Sequence, residues 1–140
     1  MSNAPTPRIL FAEDDANIRE TTCMLISLTG AEVQAVASGR EAADALAAGS
    51  FDLVITDLLM PDGDGYWLLD HIRSSAAYRH LPVLMLSAHA DTRHNAVSKR
   101  AGADEYLAKP FDPEHLITVT QTMLARGPRV SDAGAAGQAS

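Results

Sequence analysis

The stretch FDLVITDLLMPDGDG, residues 51–65, decides the predicted fold of this chain. It begins with an apolar run over residues 53–56 and continues through Asp57 into a loop rich in Asp, Gly and Pro. A short apolar run bounded by turn residues is typical of a strand buried in a parallel sheet. Because open α/β sheets bind their ligands at the carboxyl ends of the strands, Asp57 is predicted to lie at the functional edge of the domain.

The alternation of an apolar run with a helical segment occurs five times along the chain. The predicted strands are residues 8–12, 31–36, 53–56, 81–86 and 105–108. The first predicted helix is capped by Asp15 and stopped by Gly30. The next three cover residues 38–48, 65–74 and 92–101, and the last runs from Pro113 to the residue before Gly127. Strands that alternate with helices form a parallel sheet with helices on both faces, so the sequence predicts an α/β fold.

Residues in the first predicted helix follow the helical period of about 3.6 residues and are therefore predicted to face the core. In the first helix these residues are Ile18, Thr22, Leu25 and Ile26. In the third helix the apolar set is Trp67, Leu68, Leu69 and Ile72. The fourth helix carries few large apolar residues, which makes it a candidate for local mobility.

Length and composition exclude several classes of protein. A chain of 140 residues suits one domain, and a single cysteine, Cys23, supports no disulfide framework. The formal net charge of −7 argues against duplex DNA or an anionic membrane as the main partner. No apolar run approaches the roughly 20 residues of a membrane span, and the first residues lack the apolar core of a signal peptide. We therefore expect a cytoplasmic protein.

Charged and hydroxyl side chains follow four of the predicted strands, at the point where each strand ends. They are Glu13, Asp14 and Asp15 after the first strand, Asp57 after the third, Ser87 after the fourth and Lys109 after the fifth. Because the carboxyl ends of parallel strands meet at one edge, these groups are predicted to converge. Clustered carboxylates repel one another unless a cation intervenes, and hard oxygen ligands select Mg²⁺ or Ca²⁺ over zinc. The alternative is a solvated acidic surface.

Four blocks of sequence extend this pattern: ILFAEDD with Asn17-Ile18-Arg19, ITDLLMPDGDG, LMLSAH and AGADEYLAKPF. Together they resemble the receiver domain of bacterial two-component response regulators, the CheY-like family. The last block is the most specific, because it ends in the Lys-Pro pair of the family. The resemblance covers about residues 8–126. It implies a doubly wound, five-stranded parallel sheet of order 2-1-3-4-5, the flavodoxin- and CheY-like (βα)5 fold.

The resemblance implies a phosphorylation-dependent switch in a two-component phosphorelay rather than an enzyme. Asp57 would accept a phosphoryl group from a sensor histidine kinase or a histidine phosphotransfer protein, since a carboxylate can act as a covalent nucleophile. Asp14, Asp57 and the backbone carbonyl of Leu59 would bind Mg²⁺ directly, and Glu13 would hold it through water. Lys109 would offset the charge that develops on the phosphoryl oxygens.

The resemblance also implies how the signal leaves the site. The Ser87 hydroxyl and the backbone N–H of Ala88 would bind the phosphoryl group, and Tyr106 would fill the space that Ser87 vacates. The face made by the fourth helix, the fifth strand and the fifth helix would then change its preference for an unknown downstream protein. The Lys109–Pro110 peptide bond would be cis.

Three positions depart from the family pattern or modify it. Gly63 stands where a bulky apolar residue is common, which predicts a looser loop after Pro61. Leu59 and His89 lie where side chains of this family influence the access of water to the aspartyl phosphate. Leu59 is apolar and is expected to shield that group, whereas the sequence leaves the effect of His89 open.

Other functions are weighed against the switch. A phosphatase with an aspartate nucleophile carries it near the first strand and needs a cap insertion, for which this chain has no room. A flavin or nucleotide binder needs a Gly-rich or Ser/Thr-rich phosphate loop after the first strand, which is absent from the sequence. A receiver that signals without phosphate is disfavoured by the intact Asp57, Asp14 and Lys109.

Composition predicts the domain boundaries. Residues 1–7 are predicted as a disordered lead, residues 8–127 as the receiver domain, and residues 128–140 as a disordered tail or linker. No output domain is predicted in this chain. The domain is either a stand-alone regulator or a receiver taken from a longer protein, and the composition of the tail allows both.

Overall fold

A computed structural model describes residues 6–87 and 102–129 of the chain. The predicted fourth helix, together with Ala88 and His89, lies outside the described residues. The described residues form five strands, β1 (Arg8–Ala12), β2 (Glu32–Val36), β3 (Leu53–Asp57), β4 (Val83–Ser87) and β5 (Glu105–Ala108). They also form four helices, α1 (Ala16–Ser27), α2 (Gly39–Ala48), α3 (Gly65–Arg73) and α4 (Pro113–Arg126), of which α4 is the fifth predicted helix.

The five strands form one parallel sheet in the order β2-β1-β3-β4-β5, which confirms the predicted fold. Their carboxyl ends lie at the same edge. The pairs at this edge are Ala12 with Thr56, Asp57 with Leu86, and Ser87 with Ala108. The register therefore brings the residues that follow β1, β3, β4 and β5 to one side of the molecule.

The fourth strand differs from its predicted span because of local hydrogen bonding. Pro82 has no N–H to donate to a ladder, and the Val83 N–H donates to the carboxylate of Asp104, so the strand begins at Val83. The strand extends one residue further than predicted, to Ser87, whose carbonyl accepts the N–H of Lys109 at 2.6 Å. The third strand likewise extends one residue further than predicted and includes Asp57.

A hydrophobic core lies on each face of the sheet, because successive side chains of a strand point to opposite faces. The core on the α2 and α3 face includes Leu10, Val54, Leu68, Ile72, Val83 and Met85. The core on the α1 and α4 face includes Ile9, Phe11, Ile26, Ile55, Leu116 and Met123. The central strands are therefore buried on both faces, as a doubly wound sheet requires.

Side-chain caps fix where the helices begin. Asp15 accepts a hydrogen bond from the Ile18 N–H at 2.9 Å, which confirms its predicted role as the cap of α1. Asp64 accepts from the Trp67 N–H at 2.9 Å in the same way at the start of α3. These caps satisfy N–H groups that have no partner within the helix. Each helix consequently starts directly after a loop that follows the carboxyl edge of the sheet.

One predicted core residue, Ile18, is exposed instead. Ile18 is 43% exposed, because it lies in the first turn of α1 and lines an open groove with Lys109, Pro110 and Phe111. Trp67 lies on the outer side of α3, where its ring stacks on His71 with centroids 5.6 Å apart. The prediction for Ile18 was wrong because the helical period identifies an apolar side of a helix but not the end at which the sheet stops covering it.

Two arginines, Arg73 and Arg129, make hydrogen bonds and ion pairs at the opposite, amino edge of the sheet. The Arg73 guanidinium donates to the carbonyl of Gly102 at 2.9 Å and to the Asp104 carboxylate at 2.9 Å. Arg129, which follows α4, also pairs with Asp104 at 3.4 Å. These contacts join the end of α3 to the residues that lead into β5. Within residues 6–87 and 102–129, none of the helices has the length and apolarity that crossing a membrane requires.

Candidate functional site

The candidate site is built around Asp57, the last residue of β3. Its strand lies between β1 and β4, and the side chain is held at a buried position with a residue exposure of 8%. The chain leaves the strand in a fixed direction, because the Leu58 N–H donates to the Leu86 carbonyl at 2.7 Å. Asp57 is therefore a carboxylate presented at the carboxyl edge from a rigid element.

Two further carboxylates converge on Asp57 from the loop after β1. Oxygen atoms of Glu13, Asp14 and Asp57 all lie within 4.8 Å of one another. Glu13 is 2% exposed, whereas Asp14 faces solvent. The sequence therefore predicted the convergence of these carboxylates correctly. Of the three adjacent acids, Asp15 serves as the cap of α1.

Lys109 supplies the positive charge of the site. Its ammonium lies 2.9 Å from Glu13 Oε1 and 3.0 Å from Asp57 Oδ1. The other Glu13 oxygen accepts the Asp15 N–H at 3.1 Å, so both oxygens of Glu13 are engaged. The Lys109–Pro110 bond is cis, which confirms the expectation from the resemblance. One ammonium thus bridges two carboxylates that enter the site from different strands.

Burial shifts the protonation of this cluster. It raises the pKa of Asp57 above its ordinary value, although the Lys109 ammonium opposes the shift; the charge of Asp14 adds to it. Burial also raises the pKa of Glu13 against the opposing effect of the same ammonium. Burial lowers the pKa of Lys109, but its hydrogen bonds to Glu13 and Asp57 outweigh burial and leave the pKa raised. Negative charge on Glu13 and Asp57 is therefore unfavourable to the folded state.

Sequence reasoning missed the part that Arg19 plays at the site. From the first turns of α1, its guanidinium donates to the carbonyl of Glu13 at 2.8 Å and to that of Asp14 at 3.4 Å. These bonds tie the backbone of the acidic loop to α1. The signal was present in the sequence, because an arginine six residues after Glu13 on a capped helix points back toward the loop.

The remaining predicted site residues lie on neighbouring strands. Ser87 is buried at the end of β4, one strand away from Asp57. Tyr106 is half-buried on β5, opposite Met85, and packs against the core on the α2 and α3 face. Leu59 is the second residue of the loop after β3 and exposes 54% of its surface. Ala88 lies outside the described residues. The roles of these residues stay predictions.

The loop after β3 is held where the sequence predicted looseness. The carbonyl of Gly63 accepts the N–H of Gly39, at the start of α2, at 2.8 Å. The carbonyl of Asp62 accepts the N–H of Arg40 at 3.1 Å. The expectation at Gly63 was wrong because a missing side chain can admit a close backbone contact as well as remove packing.

Comparison with known proteins identifies this arrangement. Residues 9–121 match the family model described as the response regulator receiver domain. The chain belongs to this family. The finding confirms the resemblance found in the sequence, and receiver domains act as signalling switches rather than as classical enzymes.

Related proteins show what this receiver domain is similar to. It is 36% identical over 118 residues to the transcriptional regulatory protein GltR of Pseudomonas aeruginosa, covering 84% of this chain and 49% of GltR. It is 30% identical, with a TM-score of 0.79, to the chemotaxis response regulator CheY4 of Vibrio cholerae, covering 85% of this chain and 99% of CheY4. The chain thus spans about half the length of curated relatives such as GltR and nearly all of CheY4.

A third similarity concerns a receiver within another class of protein. The signal receiver domain of a signal transduction histidine kinase from Syntrophus aciditrophicus is 31% identical, with a TM-score of 0.80. The match covers 86% of this chain and 92% of that one. Receiver domains related to this one therefore occur in regulators and in a histidine kinase.

The donor set of the site suits a hard divalent cation. Receiver domains bind Mg²⁺ at an acidic pocket, and this one gathers three carboxylates within 4.8 Å. Oxygen-only sites select Mg²⁺ or Ca²⁺, and Mg²⁺ keeps several waters while taking one or two carboxylates. Both Glu13 oxygens accept hydrogen bonds and Asp57 Oδ1 contacts the Lys109 ammonium, so a cation at this site would share its carboxylates with Lys109.

We predict that Asp57→Asn raises the stability of the metal-free protein near neutral pH. The folded pKa of Asp57 is raised, so its charge destabilises the fold above that pKa. The destabilisation disappears as the pH falls through the folded pKa toward the ordinary value of 3.8. Thermal unfolding in EDTA should give a higher midpoint for Asp57→Asn near neutral pH and no difference at the acid end.

The matched control for this comparison is Asp44→Asn, which neutralises an exposed carboxylate on α2. Exposed substitutions of this kind change the free energy of unfolding by less than about 0.5 kcal/mol. A lower midpoint for Asp57→Asn across the whole pH range would show that the ion pair with Lys109 outweighs burial, contrary to this account.

Proposed function

We propose that this receiver domain is a phosphorylation-dependent switch in which Asp57 accepts a phosphoryl group from a phosphohistidine. The donor would belong to a sensor histidine kinase or a histidine phosphotransfer protein. The observation that carries the proposal is the buried Asp57 carboxylate at a strand end, 3.0 Å from the Lys109 ammonium. A nucleophile fixed on a strand beside a cation is arranged for transfer by positioning and charge stabilisation.

The proposed transfer forms one bond to phosphorus and breaks another. One Asp57 oxygen forms a bond to phosphorus while the bond between phosphorus and the donor imidazole nitrogen breaks. The electron pair of that bond stays on the imidazole, and Asp57 becomes an acyl phosphate. Lys109 already contacts Asp57 Oδ1, so its ammonium is placed to bind a phosphoryl oxygen as charge spreads over that group.

The acidic cluster would hold Mg²⁺ for this reaction. Asp14, Asp57 and the backbone carbonyl of Leu59 would bind the ion directly, and Glu13 would bind it through water. When bound, Mg²⁺ offsets the negative charge of the phosphoryl oxygens and the carboxylates. Arg19 holds the carbonyls of Glu13 and Asp14, so it would keep the acidic loop in place as the ion enters and leaves.

The proposed response is a shift between two populations of the domain. The phosphoryl group would bind the Ser87 hydroxyl and the Ala88 N–H, and Tyr106 would then fill the space beside Ser87. The backbone link from the Lys109 N–H to the Ser87 carbonyl, 2.6 Å, joins the two strand ends that must move together. The surface made by residues 88–101, β5 and α4 would change its affinity for a downstream protein.

The proposal extends to partners and context. The groove beside Lys109, lined by Ile18, Pro110 and Phe111, offers apolar surface on which a protein donor could rest. Residues 8–127 would form the switch unit, and its setting would be the cytoplasm. The net charge of −7 supports protein partners rather than direct contact with nucleic acid.

The first test is phosphorylation by a small donor. We predict that acetyl phosphate with Mg²⁺ adds the mass of one phosphoryl group to the wild-type protein, measured on the intact chain. Asp57→Asn and an EDTA-treated sample should show no addition, because they lack the nucleophile and the metal. Asp44→Asn, an exposed aspartate on α2, should be modified as the wild type is.

Two results would contradict the proposal. One is stable modification of Asp57→Asn at the wild-type level, which would put the acceptor elsewhere. The other is rapid turnover of p-nitrophenyl phosphate by the wild-type protein, which would make the site that of a phosphatase.

A second test separates acceptance of the phosphoryl group from the response to it. We predict that Lys109→Ala is still phosphorylated, more slowly, but loses most of the change in amide hydrogen exchange of β4 and β5. The reason is that the Lys109 ammonium links Asp57 to the residue after β5, and alanine removes this contact while it keeps the backbone hydrogen bond to the Ser87 carbonyl. Lys99→Ala, which removes the other lysine of the chain, is the control. A wild-type exchange response in phosphorylated Lys109→Ala would remove Lys109 from the switch.

A further inference from the structure

The loop that follows Asp57 is joined to the start of α2 by backbone hydrogen bonds. The Gly39 N–H donates to the Gly63 carbonyl at 2.8 Å, and the Arg40 N–H donates to the Asp62 carbonyl at 3.1 Å. These are N–H groups of the first turn of α2, which have no partner within their own helix. We call the four residues Gly39, Arg40, Asp62 and Gly63 the loop joint.

The loop joint depends on two glycines that face each other. A Cβ atom at Gly39 would lie 2.3 Å from the Gly63 carbonyl oxygen and 2.8 Å from the carbonyl carbon. Gly63 has a φ of +93°, and a Cβ atom there would lie 2.9 Å from Cε3 of Trp67. At Gly39, only a residue without a side chain lets the two backbones approach this closely, and at Gly63 the positive φ and the Trp67 ring favour glycine. The joint is therefore specified by sequence and is not an incidental contact.

Side chains cover the loop joint on its outer side. The Arg40 guanidinium lies over the Trp67 ring, 5.1 Å from its centroid, and 3.9 Å from Asp62 Oδ1. Asp62 has a φ of +52°, which is uncommon for a residue other than glycine. The two hydrogen bonds and the stacked arginine thus hold the loop in a backbone shape that Asp62 rarely adopts unaided.

The loop is also held at its two ends. The Leu58 N–H donates to the Leu86 carbonyl at 2.7 Å, and the Gly65 N–H donates to the Leu58 carbonyl at 2.8 Å. The Leu58 side chain is fully buried. Between these anchors and the loop joint lies Leu59, whose side chain points to solvent and whose carbonyl is the proposed backbone ligand of the metal site.

We propose that the loop joint positions the metal-binding loop, so that Gly39 and Gly63 determine the affinity of the site for Mg²⁺ without touching the ion. The inference rests on the proposed function, because it concerns the same acidic site. Fixing the loop at residues 62 and 63 limits the positions that the Leu59 carbonyl can take relative to Asp14 and Asp57. The joint then acts as a support behind a metal ligand, and loss of such supports weakens metal binding.

The test is Gly39→Ala, with Mg²⁺ alone as the probe. Alanine favours a helix over glycine, so any loss comes from the clash with Gly63 and not from α2 itself. We expect Mg²⁺ affinity, measured by calorimetry and by emission of Trp67, the single tryptophan, to fall by about tenfold. The Mg²⁺ concentration that gives half-maximal phosphorylation by acetyl phosphate should rise in parallel, with a smaller change in the maximal rate.

Gly49→Ala, at the other end of α2, is the matched control. A Cβ atom there would lie 3.2 Å from Nη1 of Arg8, a side-chain atom far from the acidic site, so both readouts should match the wild type. Arg40→Ala removes only the exposed cover of the joint and serves if Gly39→Ala fails to fold. It should weaken Mg²⁺ binding in the same direction but less. Wild-type Mg²⁺ affinity in Arg40→Ala and in any folded Gly39→Ala would overturn the inference.

The outcomes also separate this inference from the proposed function. A wild-type protein that binds Mg²⁺ but takes no phosphoryl group would refute the proposed function, and Mg²⁺ affinity in Gly39→Ala would still decide the role of the joint. A protein that is phosphorylated normally, with the same Mg²⁺ dependence in Gly39→Ala as in the wild type, would refute the joint alone. A wild-type protein without Mg²⁺ binding would refute both.

Discussion

The contact between the Lys109 ammonium and the carboxylates of Glu13 and Asp57 is the interaction on which the site depends. Three carboxylates meet one ammonium at a largely buried edge, so the site holds an excess of negative charge. Burial raises the pKa of both buried acids, which shows that this charge is unfavourable to the fold. In the proposed function, the same excess of negative charge favours the binding of a divalent cation, and the cation and Lys109 together let the cluster accept a phosphoryl group.

The sheet and its supports hold this charge in one place. The site draws its residues from the end of β3 and from the loops after β1 and β5, and the parallel register keeps those strand ends together. Cores on both faces of the sheet supply the stability that offsets the charged edge. Arg19 holds the backbone of the acidic loop and the loop joint holds the loop after β3, so each loop has supports outside the carboxylate cluster.

Sequence predicted the fold and the convergence of Asp57, Asp14 and Lys109, because strand periodicity and strand-end position are local properties that survive folding. It failed for Ile18, whose period indicated burial although its side chain is exposed beside the groove at Lys109 and Pro110. The expectation of a looser loop at Gly63 failed because the hydrogen bond from the Gly39 N–H to the Gly63 carbonyl joins positions distant in the chain. Contacts of that kind depend on the assembled fold, and the pattern of either segment alone does not specify them.

The central claim is that the carboxylate of Asp57 becomes an acyl phosphate. Borohydride reduction of protein treated with acetyl phosphate and Mg²⁺ tests it most directly, because reduction converts a phosphorylated aspartate to homoserine at the same position. Peptide mass spectrometry then locates the product. The account predicts homoserine at position 57 and unmodified aspartate at position 14. Homoserine at position 14 or at an exposed aspartate, with position 57 unchanged, would contradict it.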